Sequence, residues 1–207
     1  MASGERIRNP RGEGEKLRVA LLDAAESLLA EVGDVRGLSL RAVTAGAGVT
    51  PNALYLHFED LGELVLALEE RSFQELRAAL ERAEREHEGD PWAQLLAMGE
   101  AYCEFAERRP ANYRLLFGTY VAGAKIMPRD PEERLAAAMD SGIDTFNTLA
   151  RAVARCAPEV GDPFPLAVQV WCALHGYVSL QPVMPSFPFP SRQQFLADSL
   201  IALLARR

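Results

Sequence analysis

The stretch Ser39–Leu61, SLRAVTAGAGVTPNALYLHFEDL, constrains this chain more than any other, because it writes three helix starts around one glycine-bearing turn. Ser39 precedes Leu40, Arg41, Ala42 and Val43, and its hydroxyl can accept a hydrogen bond from a free amide that opens a helix. Gly48 breaks that helix. Thr50 followed by Pro51 opens the next, since proline at the first helical position lacks an N–H where none has a partner. Asp60 with Glu63 three residues later reads as a capping box for a third. The result is a helix over about 39–46, a tight turn, and a helix over about 51–57 projecting Asn52, Tyr55 and His57. That describes a helix-turn-helix. Capping patterns of this kind also make helical corners in all-α domains, so DNA binding and a plain structural corner both stand at this level.

The whole chain narrows the class. At 207 residues it forms one large domain or two small ones, and 49% hydrophobic content supports a packed core. No apolar run approaches the roughly 20 residues of a membrane-spanning helix. The start, MASGERIRNPRGEGEK, has no apolar segment of the signal-peptide kind. Cys103, Cys156 and Cys172 are odd in number and lack metal-ligand spacing, so neither a disulfide framework nor a zinc site is expected. The expectation is a reducing cytoplasm, with no cofactor and no metal. A net charge of −7 argues on its face against a nucleic-acid partner. Its distribution softens the point: Arg6, Arg8, Arg11, Lys16 and Arg18 outnumber Glu5, Glu13 and Glu15 at the start, while glutamates crowd residues 62–89.

Read in order, the chain is all helix. Residues 1–13 have no periodicity and read as a flexible arm. From about Glu15, the residues Leu17, Leu21, Ala24, Ala25, Leu28 and Val32 recur at helical spacing until Gly33. Leu38, just before the Ser39 cap, is placed to staple the next helix. After Asp60 a long helix carries Leu61, Leu64, Val65, Leu68, Phe73, Leu76 and Leu80 on one stripe, with Glu69, Glu70, Glu75 and Glu81 assigned to the other face. It stops near Gly89 and is long enough to act as a strut, at about 1.5 Å per residue. Asp90 caps a helix ending before Pro110, which starts a short one through Phe117. Gly118–Arg129 is loop-like. Further helices fit Pro131–Ala157, Phe164–Leu180 and the run capped by Ser191, separated by the proline-rich Gln181–Pro190, which is expected to be irregular. No strand-like alternation occurs, so the fold class is all-α.

Together these pieces resemble the tetracycline-repressor (TetR) family of one-component bacterial regulators. Leu21–Gly33, LLDAAESLLAEVG, matches the family's first helix through Ala24, Ala25, Leu28, Leu29 and Gly33. Ser39, Leu40, Val43, Ala47, Gly48, Val49, Thr50, Leu54, Tyr55, His57, Phe58, Asp60 and Leu64 then fall in register with its helix-turn-helix. That is far more specific than a lone short motif. Three positions depart from the pattern. Thr44 replaces the usual alanine, Gly46 weakens its helix by about 1 kcal/mol against alanine, and Leu61 stands where a lysine commonly touches phosphate. Later in the chain, Trp171, His175 and Gly176 resemble the Trp-x-x-x-His-Gly pattern of one subset of the family. The same residues also fit simple close packing of helices.

The resemblance implies a fold and a set of roles. It implies an arm at 1–14, a helix-turn-helix domain at 15–60, a connecting helix at 61–89 and a ligand-binding and dimerisation domain at 90–207. Thr50, Pro51, Asn52 and Tyr55 would face a double-stranded DNA operator, His57 would lie near phosphate, and Ser39 and Arg41 would contact the backbone. Asn52 suits bidentate pairing with adenine, and Tyr55 suits a phosphate oxygen. Arg6, Arg8 and Arg11 would either track DNA or remain a solvated tail. A homodimer through the last two helices would read a palindrome. A small-molecule effector would enter a site drawn from Met98, Tyr102, Phe105, Phe117, Met139, Phe146, Trp171 and His175, because such sites combine apolar walls with few polar anchors. Two other classes compete: an enzyme, for which His175, Asp140, Asp144 and Cys172 are too scattered to form a nucleophile and base, and a helical interaction module without DNA binding.

Overall fold

The computed structural model of the chain describes residues 13–117 and 131–204. The expected arm and the expected loop at Gly118–Arg129 lie outside the described residues, apart from the arm's last two positions. Among the described residues there are nine α-helices and no strand: α1 (Glu13–Val32), α2 (Leu40–Gly46), α3 (Pro51–Leu54), α4 (Leu61–Arg85), α5 (Pro91–Arg108), α6 (Pro110–Phe117), α7 (Pro131–Cys156), α8 (Phe164–Leu180) and α9 (Arg192–Leu204). None of these helices is long and apolar enough to cross a membrane.

Local chemistry sets most of the boundaries. The α1 helix ends where Gly33 turns to a φ of 75°, its N–H reaching back to the Leu29 carbonyl. The Ala42 amide donates to Ser39 Oγ at 3.2 Å, and Leu38 and Val43 share a core as a staple requires. The Glu63 amide donates to Asp60 Oδ1 at 2.9 Å, while the Glu63 carboxylate takes the Glu59 amide. Asp90 and Ser191 cap α5 and α9 in the same way. Two expectations need correction, and the connection between the first two helices takes a definite form. The third helix is one turn, Pro51–Leu54, and 55–57 continue as a turn; Thr50 occupies the cap position but its side chain caps nothing. A 3-10 turn links α1 to α2 at Val35–Gly37, held by the Arg36 amide donating to Asp34 Oδ1. The proline-rich segment opens with another, Gln181–Val183, because Pro182 sits in a first turn that asks no amide of it.

Two cores share one helix. The first gathers Leu21, Leu29, Val43, Leu54 and Phe58 from α1 to the turn after α3, together with Leu64 and Leu68 of α4 and Ala111 and Leu115 of α6. The second gathers Phe73, Leu76 and Leu80, the next turns of the same α4, with side chains of α5 to α9. Packing on several sides explains a further correction. Glu69, assigned to the solvated face of α4, is 9% exposed, and its Oε2 has no hydrogen-bond partner among the described residues. Burial pushes its carboxyl up to about 7.

A folded-state value near 7 against an ordinary value of 4.5 means the unfolded chain gives up this proton first, so stability falls as pH rises between them. Glu69→Gln is expected to raise unfolding free energy by on the order of 2–3 kcal/mol at pH 8, shrinking below about 1 kcal/mol at pH 5. Urea titrations at the two pH values measure this.

Candidate nucleic-acid interface and effector cavity

The turn between α2 and α3 is built so that one side is locked and the other is bare. Gly48 holds a φ of 67°, and the amides of Gly48 and Val49 return to the carbonyls of Ala45 and Thr44. Leu54 and Phe58 are sealed in the first core, with the Arg18 guanidinium 5.2 Å over the Phe58 ring. On the opposite side Thr50, Pro51, Asn52 and Tyr55 are exposed, and beside them Leu56 stands 76% exposed. Ser39 and Arg41 are exposed at the start of α2, whereas His57 is half-buried near the first turn of α1. The seven expected DNA-contacting residues therefore share one region. Leu56, an apolar side chain with no core to enter, was not singled out in the sequence, although its place between Tyr55 and His57 could have flagged it.

The departures from the pattern have physical outcomes. Thr44 is buried, and its hydroxyl donates to the Arg41 carbonyl of its own helix. A Cβ at Gly46 would meet Ala24 at 3.4 Å, so packing leaves room for alanine there. Leu61 turns into the first core, and the nearby Glu59 and Glu63 amides are already given to carboxylates.

Farther along, a cavity of about 480 Å³ opens between α4, α5, α6, α7 and α8. Five of the eight expected residues line it: Tyr102, Phe117, Met139, Phe146 and Trp171. Met98 does not, being fully buried in the second core. Phe105 borders a different, wider depression between α4, α5 and α9 that is rimmed by charged side chains such as Glu86 and Arg108. His175 sits behind the wall, its ring 5.2 Å from Phe117 and 6.2 Å from Trp171. Sequence reading missed Phe73, Leu76 and Leu80, which α4 contributes from its apolar stripe. Gly142 on α7 makes room for the first of these, since a Cβ there would lie 3.2 Å from the Phe73 ring.

A chain of hydrogen bonds runs behind this wall. Trp171 Nε1–H donates to Tyr102 Oη at 3.3 Å, Tyr102 and Tyr113 hydroxyls meet at 3.0 Å, and Tyr113 Oη lies 2.6 Å from His175 Nδ1. His175 Nε2 is 3.5 Å from Ser179 Oγ. Burial lowers the His175 pKa, which favours the neutral ring, and burial also raises Tyr113 to about 12. With a neutral imidazole one proton order uses each donor once: indole to Tyr102, Tyr102 to Tyr113, Tyr113 to Nδ1, and Nε2–H toward Ser179. Among the described residues no carboxylate stands behind the histidine, whose ring nitrogens face Tyr113 and Ser179, so this arrangement holds a wall in place. Close helix packing does not explain the neighbouring glycine, since a Cβ on Gly176 would meet nothing within 4 Å.

One short helix touches both regions. Tyr113, Leu116 and Phe117 of α6 face the second core and the cavity, while Ala111 and Leu115 belong to the first core. Asn112 Nδ2 bonds Ser72 of α4 and Glu26 of α1, and the Arg114 guanidinium donates to the Gly33 carbonyl at 3.0 and 3.2 Å, closing the end of α1.

Comparison with known proteins decides the family. The family model described as "Tetracyclin repressor-like, C-terminal domain" matches residues 95–204, and that of "Bacterial regulatory proteins, tetR family" matches residues 21–68. The chain belongs to the TetR family. A solved structure of a protein with unknown function from Rhodococcus sp. RHA1 is 28% identical, with a TM-score of 0.75 over 97% of this chain and 98% of that one. PfmR, a TetR family transcriptional regulator from Thermus thermophilus, is 20% identical, with a TM-score of 0.62 over 89% and 97%. SmeT, the repressor of the Stenotrophomonas maltophilia multidrug efflux pump SmeDEF, is 25% identical, with a TM-score of 0.58 over 91% and 88%. This TetR-family protein is a ligand-responsive, DNA-binding transcriptional regulator, not an enzyme.

Tyr113→Phe removes the middle of the hydrogen-bond chain and orphans buried groups on both sides. It is expected to cost about 1–3 kcal/mol of stability, and Tyr102→Phe, which leaves Tyr113 on His175, is expected to cost less. Paired denaturant unfolding curves compare them.

Proposed function

We propose that the protein binds a palindromic operator as a homodimer and is released from it by a small molecule occupying the cavity of about 480 Å³. The observation that carries this reading is α6, whose two sides belong to the cavity wall and to the core beneath the helix-turn-helix. A ligand that pushed on Phe117 or Leu116 would act on the helix that also holds α1 through Asn112 and Arg114. It would favour a different spacing of the two recognition helices in the dimer by binding that arrangement more tightly. In this reading 15–60 form the DNA-binding domain, 61–89 the connecting helix and 90–207 the effector and pairing domain. Repression is the expected sign of control, the role that SmeT has.

At the operator, Asn52 reads a base edge, with Thr50 and Pro51 beside it. Tyr55, Ser39, Arg41 and His57 position the protein on phosphates. The pairing face is assigned to α8, α9 and the segment between them. Leu180, Val183, Met184, Phe187 and Ile201 are all more than a third exposed there, and the space beside Gly176 is open. Apolar side chains gathered in this way mark a protein–protein contact.

Two experiments test the reading. In gel retardation with a palindromic fragment from upstream of its own coding sequence, affinity is expected to fall steeply with added salt. Asn52→Ala is expected to weaken binding by about 1–3 kcal/mol for each half-site, and Tyr55→Ala to weaken it for every sequence alike. Unchanged binding by both variants would remove the recognition assignment. In sedimentation, the wild-type chain is expected to run as a dimer and the double variant Leu180→Asp, Ile201→Asp as a monomer; a dimeric double variant places the pairing face elsewhere.

A further inference from the structure

We propose that the cavity is selective for uncharged, largely aromatic molecules carrying a single hydrogen-bonding group, and that it rejects both organic anions and organic cations. This rests on the reading of the cavity as the effector site. Among its described lining residues there is no Asp, Glu, Lys, Arg or His. Two other depressions among the described residues are different: one is edged by Glu75, Arg82, Glu86 and Glu100, the other by Asp23, Glu26 and Arg109. An ion moved from water into the cavity would meet no counter-charge among the described lining residues, which strongly disfavours it.

The walls favour rings over extended chains. Phe117 and Trp171 lie with centroids 6.0 Å apart, and Trp171 meets Phe146 edge-on at 5.9 Å. Phe146 in turn meets Phe164 at 5.4 Å, and Phe73 meets Phe117 at 6.0 Å. A guest ring extends this edge-to-face pattern without disturbing it. Such faces also attract cations, yet among the described lining residues there is no carboxylate to compensate for the lost hydration.

The polar atoms on the wall are few and mostly committed. The Thr145 hydroxyl is given to the carbonyls of Ser141 and Phe73, and the Trp171 N–H to Tyr102. In the proton order described above, Tyr102 Oη keeps only a lone pair for a guest. The Asn147 side-chain amide has no partner among the described residues and offers both a donor and an acceptor. One N–H, hydroxyl or carbonyl on the guest is therefore matched, and a heavily hydrated group is not.

Three size-matched fluorescent probes test this on the full-length wild-type protein without DNA. They are neutral N-phenyl-1-naphthylamine, the sulfonated anion 8-anilinonaphthalene-1-sulfonate, and the cation proflavine. The neutral probe is expected to bind one per protomer, with energy transfer from Trp171 that Trp171→Phe reduces, and at least tenfold more tightly than either ion. Equal or tighter binding of the anion or the cation overturns the proposal. Asn147→Asp is expected to reverse the preference, weakening the neutral probe several-fold and strengthening proflavine at least tenfold. The wild-type comparison of the three probes stands whether or not that variant folds. Adding the two naphthalene probes to the operator complex separates this proposal from the function it rests on. If the neutral probe binds selectively yet leaves the operator complex intact, the ligand class stands and the effector role of the cavity falls. If only the anion binds and releases operator, the effector role stands and the ligand class falls.

Discussion

Burial of α6 on two sides at once is the constraint on which the rest of the structure depends. A helix of eight residues has too few internal hydrogen bonds to be stable alone. It holds its place because Ala111 and Leu115 enter one core, Tyr113 and Leu116 enter the other, and Asn112 is bonded to α1 and α4 together. The cavity exists beside it, and the helix-turn-helix rests on it. Neither half can rearrange without changing what α6 touches. A displacement there has a discrete outcome because packed cores do not deform continuously.

The long helix α4 supplies the second element of that design. Leu64, Val65 and Leu68 serve the first core, and Phe73, Leu76 and Leu80 serve the second while lining the cavity. Between the two groups lie Glu69 and Ser72, both buried. Ser72 is satisfied by the Leu68 carbonyl and by Asn112, but Glu69 is not. The stretch of α4 that passes from one core to the other is thus its least well satisfied part, held by neighbours more than by its own chemistry.

What the sequence disclosed follows from which forces are local. Caps, glycine stops and staples act over three or four residues, so Ser39, Asp60, Asp90 and Ser191 could be located without any knowledge of the fold. The same locality misled at α3, where a threonine before proline suggests a cap although its side chain makes no such bond. Glu69 was misread because an amphipathic pattern assumes one buried face, whereas α4 is covered by α1, α5, α6 and α7. For the cavity, periodicity points side chains inward but does not reveal whether the interior there is filled. Met98 and Tyr102 are one turn apart on α5 and look alike in sequence, yet the first is surrounded by core and the second borders empty space. The hydrogen bonds joining Trp171 to Tyr102 and Tyr113 to His175 connect residues more than sixty apart, which no local pattern encodes.

The closure of α1 by Arg114 also bears on how this protein can be taken apart. Its terminal carbonyl at Gly33 is held by a guanidinium from beyond residue 110, and Leu64, Leu68, Ala111 and Leu115 complete the core beneath the recognition turn. A chimera that grafts residues 1–60 onto a foreign effector domain would leave those partners behind. The transferable reading head is a discontinuous unit, made of the first three helices, the first half of α4 and α6 together.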